Sequence, residues 1–175
     1  MITFVEDDGG RGLAGYKGNA RDCVVRAIAI ATQQDYQDVY DVLSEGARNQ
    51  RVTKGKKRKP SARDAGVYIQ RKWFKDYMAS LGLEWVPTMR IGQGCKVHLT
   101  AGELPKGRLV VRVSKHLTAV VDGVLRDTWD CSWSWDRTNA VPSEDRKTWI
   151  VPPVKVQGKK CVYGYWIKRD GTGEG

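Results

Sequence analysis

The sequence predicts an α+β fold, with helices gathered on the N-terminal side and packed on an antiparallel sheet drawn from the C-terminal half. Three observations predict it. Between Cys23 and Gly82 apolar residues recur at helical spacing, as in Tyr36, Val39, Tyr40 and Leu43, or in the row Ile69, Trp73, Tyr77 and Leu81. From Arg108 onward the pattern changes to β-branched runs and period-two alternation. The strand candidates there are joined by the short links Ser114-Lys115 and Asp122-Gly123, which suit antiparallel neighbours. With 175 residues, 41% of them hydrophobic, and seven Trp, the chain is expected to form one ordered domain over residues 1–175.

Taken in order, Ile2 to Val5 and the Gly-rich stretch after it read as an extended arm leading to the first helix. That helix starts at Cys23, with Asp22 as its expected cap. Val24, Val25, Ala27, Ile28, Ala29, Ile30 and Ala31 make it apolar nearly all round, hence buried and central, with Arg26 turned to a cleft or to the surface. Asp35 caps a second helix that fades near Gly46. A basic loop follows to Pro60. Ser61 caps a third helical region, with Phe74 and Met78 beside its apolar row and Gly82 as its stop.

Leu83 to Met89 reads as a short strand, and Thr100 to Leu104 as a brief helix ended by Pro105. Arg108 to Val113 is a strong strand. Trp149 to Val156, with two prolines, suits an edge strand. Lys160 to Lys168 alternates well enough to be the last strand, and Arg169 to Gly175 reads as a Gly-rich tail.

The chemistry gathers in one hairpin. Leu117 to Val121 is apolar and β-branched, Asp122-Gly123 suits a type I′ turn, and Val124 opens the return strand. A two-residue loop sets Val121 opposite Val124, which brings His116, Thr118, Asp127 and Trp129 onto one face. Asp127 is then diagonal to His116, and the Trp129 indole covers the imidazole as a cleft-lining residue. A histidine so held is a poised base. Its expected partner is Cys23, a thiol at a helix N-terminus, where the helix dipole and a nearby imidazolium favour thiolate. Cys23, His116 and Asp127 are the candidate catalytic residues, in the order of a thiol-hydrolase triad.

This arrangement resembles the papain-like cysteine peptidases: Cys heading a buried helix, His opening a strand, and a polar orienter on the next strand. Asp127-Thr128-Trp129 is similar to the family's Asn-Ser-Trp, and the segment Pro105 to Gly123 looks like small bacteriophage and bacterial members. The chain departs from the family in lacking Cys-Gly-Ser-Cys-Trp at the nucleophile. It also carries Lys17 where a Gln would lie six residues before Cys23; Asn19 is the nearest amide. The resemblance implies a papain-like fold and a cysteine hydrolase that cleaves a peptide or isopeptide bond through a thioester acyl-enzyme, with deamidase or acyltransferase chemistry open to the same triad. The oxyanion donors would be the Cys23 amide and the Asn19 side chain.

Charge supplies the rival readings. The net charge is +10, and six of those charges fall in the acid-free run Arg51, Lys54, Lys56, Lys57, Arg58 and Lys59. The run reads as a solvated loop or as a patch for nucleic acid or an acidic partner, with Lys54, Lys56, Lys57, Arg58 and Lys59 as its residues. The alternatives to an enzyme are therefore an inactive papain-like scaffold or a basic nucleic-acid- or partner-binding protein of a phage. The four Cys are scattered without a Cys-x-x-Cys pair, so neither a metal site nor a disulfide framework is expected, and no cofactor. No leader or membrane-length apolar run is evident, so the expectation is a monomer in the reducing cytoplasm, the host's if phage-encoded, acting on a protein or peptide substrate away from membranes.

Overall fold

Apolar periodicity sets the helices, and their faces set how they stack. A computed structural model describes residues 1–51, 62–63 and 67–168. Helix α1 (Cys23–Thr32) is buried from Val25 to Ala31. Helix α2 (Tyr36–Asn49) is capped by the Asp35 carboxylate, which accepts from the Gln37 amide at 2.7 Å and the Asp38 amide at 3.3 Å. It runs through Gly46 instead of fading there. A Cβ at Gly46 would lie 2.3 Å from the Trp73 ring, so this glycine lets the indole rest directly on the α2 backbone. Helix α3 (Lys72–Ser80) starts later than expected, and Ile69 precedes it. Ser61, the expected cap, lies outside the described residues, as do the basic run Lys54, Lys56, Lys57, Arg58 and Lys59 and the C-terminal tail.

The strands, in chain order, are β1 (Thr3–Glu6), β2 (Leu83–Pro87), β3 (Arg108–Val113), β4 (His116–Val121), β5 (Val124–Asp127), β6 (Trp133–Asp136), β7 (Val141–Pro142), β8 (Trp149–Val151), β9 (Val154–Gln157) and β10 (Gly164–Lys168). Six form the main sheet in the order β1-β5-β4-β3-β10-β2. All its pairings are antiparallel except β1 with β5. The fold is thus mixed α+β with a mainly antiparallel sheet.

The β4–β5 hairpin has the register that its turn demands: Val121 opposite Val124, Val120 opposite Leu125, Ala119 opposite Arg126. Asp122 and Gly123 both take positive φ, 51° and 83°. Strand alternation then divides the core in two. Val110, Leu117 and Trp166 face the helices and pack with Val25, Ile28, Leu43 and Phe74. Leu109, Val111, Val120 and Leu125 face the other way and are covered by Ile2, Leu99, Leu104 and Cys131.

Four expectations are corrected. The N-terminal arm is strand β1, because Phe4 and its neighbours add a parallel edge beside β5. Thr100 to Leu104 is a turn, not a helix: the Glu103 carboxylate folds back to accept from the His98 amide at 2.8 Å. The expected edge strand at Trp149 to Val156 is broken at Pro152-Pro153 into β8 and β9, which pair with β7 and β6 in two separate ribbons. Finally, Cys95 and Cys161 form a disulfide across 66 residues, with Cα atoms 5.7 Å apart. Each stands in a loop with no motif around it, so the pairing exists only through the fold. No described helix is long and apolar enough to cross a membrane.

Candidate active site

The site forms where the N-terminus of α1 meets the His116 end of the sheet. Cys23 opens α1 and is half-buried. Burial pushes its thiol up, but a hydrogen bond and charge from His116, the Leu117 amide and the charge of Arg26 outweigh this and leave it below the ordinary value. His116 opens β4, with Nε2 2.7 Å from Asp127 Oδ2 and its side chain 13% exposed. Burial alone would lower the imidazole. Hydrogen bonds to Asp127, Cys131 and Cys23 and the Asp127 charge raise it to about 11. Asp127 ends β5 and is buried. Desolvation opposes its ionisation, yet His116 and Arg26 hold it below the usual carboxylate range. With Nε2 committed to Asp127, Nδ1 is the ring nitrogen left for the thiol.

Trp129 covers this pair from solvent. Its ring centroid is 5.3 Å from that of His116, and the indole is 51% exposed. Asn19 is exposed, and Arg63 Nη2 holds its carbonyl at 3.1 Å. The structure thus gathers Cys23, His116, Asp127 and Trp129 in one place. The hydrogen bond that holds Asn19 runs through its backbone carbonyl to Arg63 and not to Cys23. The basic patch lies outside them.

Two residues at this site have roles that the sequence reading missed. The first is Arg26, which is buried, not turned to a cleft or the surface. It donates from Nε to Asp22 Oδ1 at 2.9 Å and from Nη1 to Asp127 Oδ1 at 2.5 Å. Asp22 is likewise not a helix cap, since its side chain caps no amide. It faces inward, accepting also from Arg11 Nε at 3.0 Å and from the Tyr36 hydroxyl. A lone charge inside an all-apolar helix was the available signal, because a buried guanidinium must be paired.

The second is Cys131, fully buried, whose thiol is among the groups that raise the His116 imidazole. No local pattern announced it, because β5 ends at Asp127 and the chain reaches Cys131 through bends and a turn. Ligating atoms of His116, Asp127 and Cys131 lie within 4.8 Å of one another. A metal ion there would compete with the His116–Asp127 hydrogen bond and stand beside the Arg26 guanidinium, so the donor set fits a proton relay better than a cation.

No family model, curated protein or solved structure matches this chain.

Proposed function

We propose that this chain is a cysteine hydrolase of the papain-like type, cleaving a peptide or isopeptide bond. The observation that carries the reading is the relay Cys23–His116–Asp127, in which the thiol is held low and the imidazole high. That combination favours a thiolate–imidazolium pair over two neutral groups, the resting state of a thiol nucleophile.

In the reaction, Cys23 Sγ attacks the carbonyl carbon and its electron pair moves onto the oxygen. The Cys23 backbone amide, at the open end of α1, and the Asn19 side chain are the proposed donors to that oxyanion. As the oxyanion collapses, the C–N bond breaks and His116 gives its proton to the departing amine. The thioester that remains is attacked by water, whose proton passes to His116, and the acid product leaves with the thiolate restored. Asp127 stays ionised throughout and orients the ring. An amide side chain as substrate would make the same steps a deamidation, and an amine in place of water an acyl transfer.

Disulfides persist in oxidising surroundings, so a cytoplasmic site of action would find the Cys95–Cys161 bridge reduced. The proposal is tested by screening peptide, isopeptide and glutamine substrates against the wild type and Cys23→Ala. Turnover that disappears in a folded Cys23→Ala variant supports it, as does a thioester adduct at Cys23 seen by mass spectrometry. Turnover that persists in the variant would refute the nucleophile.

A further inference from the structure

A cavity of about 940 Å³ lies on the helix-facing side of the sheet between α3 and strands β10 and β2. Ile69, Leu83, Trp85, Met89 and Trp166 give it apolar walls, and the Trp85 and Trp166 rings stand 4.3 Å apart between centroids. Its polar lining is mainly cationic: Lys75, Arg90 and Arg112, with Glu84 the one acid. Arg112 stacks its guanidinium over the Tyr163 ring at 5.7 Å and has no carboxylate partner among the described residues.

Strand register sets one wall of the cavity, Arg112, beside the candidate active site. Cys23 opens α1, which packs on β4, and the Leu117 amide is among the groups that lower its thiol, which sets the thiol beside Leu117. Leu117 is paired with Arg112 on β3, Arg112 with Gly164 on β10, and Gly164 with Pro87 on β2. Arg112, Val110 and Trp166 share the face on which the helices lie, and so does Cys23. Strands are about 4.8 Å apart and residues about 3.3 Å apart along them, which puts Arg112 roughly 5 Å and the tryptophan pair, two residues off the Arg112 row, roughly 12–16 Å from the reacting carbonyl in the plane of the sheet. His116, which must protonate the leaving amine, is flanked by Asp127 and Trp129 on the opposite, β5 side. The cavity is therefore on the acyl side.

Resting on the hydrolase reading above, we propose that this cavity is the substrate groove and that its substrate is an acidic, aromatic-bearing peptide. A carboxylate one or two residues before the scissile bond meets Arg112. A bulky aromatic or branched side chain four or five residues before it fills the space between the two indoles. An extended peptide advances about 3.3–3.6 Å per residue, which sets both spacings. The Arg112 contact is a charge-assisted hydrogen bond at a site walled by aromatic rings.

The test uses the full chain and three probes. Iodoacetamide reads the thiolate alone. Two peptidyl chloromethyl ketones read the groove: Cys23 Sγ forms a bond to the methylene carbon and chloride leaves. One carries Trp-Gly-Asp-Gly before the ketone and the other Gly-Gly-Lys-Gly. Calorimetry of the two corresponding peptide amides on Cys23→Ala reads binding without chemistry. The expected result is alkylation at least about tenfold faster by the acidic aromatic ketone, a difference of the size one charge-assisted contact supplies. That preference, taken as each ketone's rate relative to the iodoacetamide rate of the same protein, should be lost in Arg112→Gln and in Trp85→Ala. Equal rates with both ketones, or a preference that survives both substitutions, would overturn the groove while rapid iodoacetamide labelling left the thiolate intact. A calorimetric preference alongside slow iodoacetamide labelling would leave the groove standing and overturn the hydrolase reading instead.

Discussion

Arg26 Nη1 donates to Asp127 Oδ1 at 2.5 Å, joining the first turn of α1 to the end of β5 across 101 residues of sequence. The same guanidinium holds Asp22, the residue just before Cys23. One buried cation therefore fixes both walls of the site, the one that carries the thiol and the one that carries the imidazole.

Arg26→Met should remove that tie and leave two buried carboxylates short of a partner. Breaking a buried ion pair by deleting one member costs about 3–5 kcal/mol, so urea unfolding should show a loss of that order. The positive charge near Cys23 is lost as well, so the thiol should titrate higher in the variant. Arg26→Lys keeps the charge but not the fork that reaches two carboxylates, and should recover only part of either effect.

Asp127→Ala should be less damaging to turnover than His116→Ala, because the carboxylate orients the ring and never takes the proton. Where triads have been dissected, removing the orienter rather than the base leaves roughly a hundredfold more activity. Asp130→Ala is the control. Its Oδ1 accepts from the Ser132 amide at 3.0 Å and its Oδ2 from Trp133 Nε1 at 2.9 Å, so it organises a turn and should leave the pH–rate profile in place. A collapse of the thiolate plateau in Asp130→Ala alone would reverse the assignment.

Much of this site was legible because a two-residue turn leaves no freedom in register. Once Asp122-Gly123 is read as a turn, His116, Asp127 and Trp129 must share a face, and they do. Helix caps were less legible. Asp35 caps α2 as its position suggests, but Asp22 stands in the same position before α1 and turns inward, because Arg11, Arg26 and Tyr36 outbid two backbone amides for its oxygens. Contacts between distant loops left no local trace, which is why the Cys95–Cys161 bridge was not anticipated, whereas β8 and β9 were read as one strand because Pro152-Pro153 was taken as the mark of an edge and not as a break. Gly46 read as a helix stop because its packing role under Trp73 depends on a residue of another helix.

The pH dependence of stability follows from the shifted groups. Asp22 and Asp127 ionise lower when folded than their ordinary 3.8, so their contribution is present above that pH and is lost as pH falls through the folded values. His116 moves the other way, from 6.5 to about 11, so its contribution is complete below 6.5 and is lost as pH rises through about 11. Cys23 ionises below its ordinary 9.0, so its contribution is complete above that pH and offsets part of the His116 loss between 6.5 and 9.0. Thermal melts across pH should therefore decline on the acid side, where Asp22 and Asp127 protonate, and most steeply on the alkaline side above 9.0, where the His116 loss is no longer offset. In His116→Gln the alkaline decline should shrink.

Reducing the Cys95–Cys161 bridge should lower stability by about 4 kcal/mol on the loop-entropy model for a closure of this length. The segment before Cys95, which includes Met89, Arg90 and Gly94 of the cavity wall, should become the most protease-sensitive part of the described chain. Limited proteolysis with and without reductant checks this; an unchanged cleavage pattern would remove the bridge from the support of that wall.

The central claim is that Cys23 rests as a thiolate paired with the His116 imidazolium. Its most direct test is the rate of Cys23 alkylation by iodoacetamide as a function of pH, followed by peptide mapping to separate Cys23 from Cys131. The account predicts a midpoint below the ordinary thiol value of 9.0 and an upward shift of that midpoint in His116→Ala. A midpoint at or above 9.0, unmoved by His116→Ala, would contradict it.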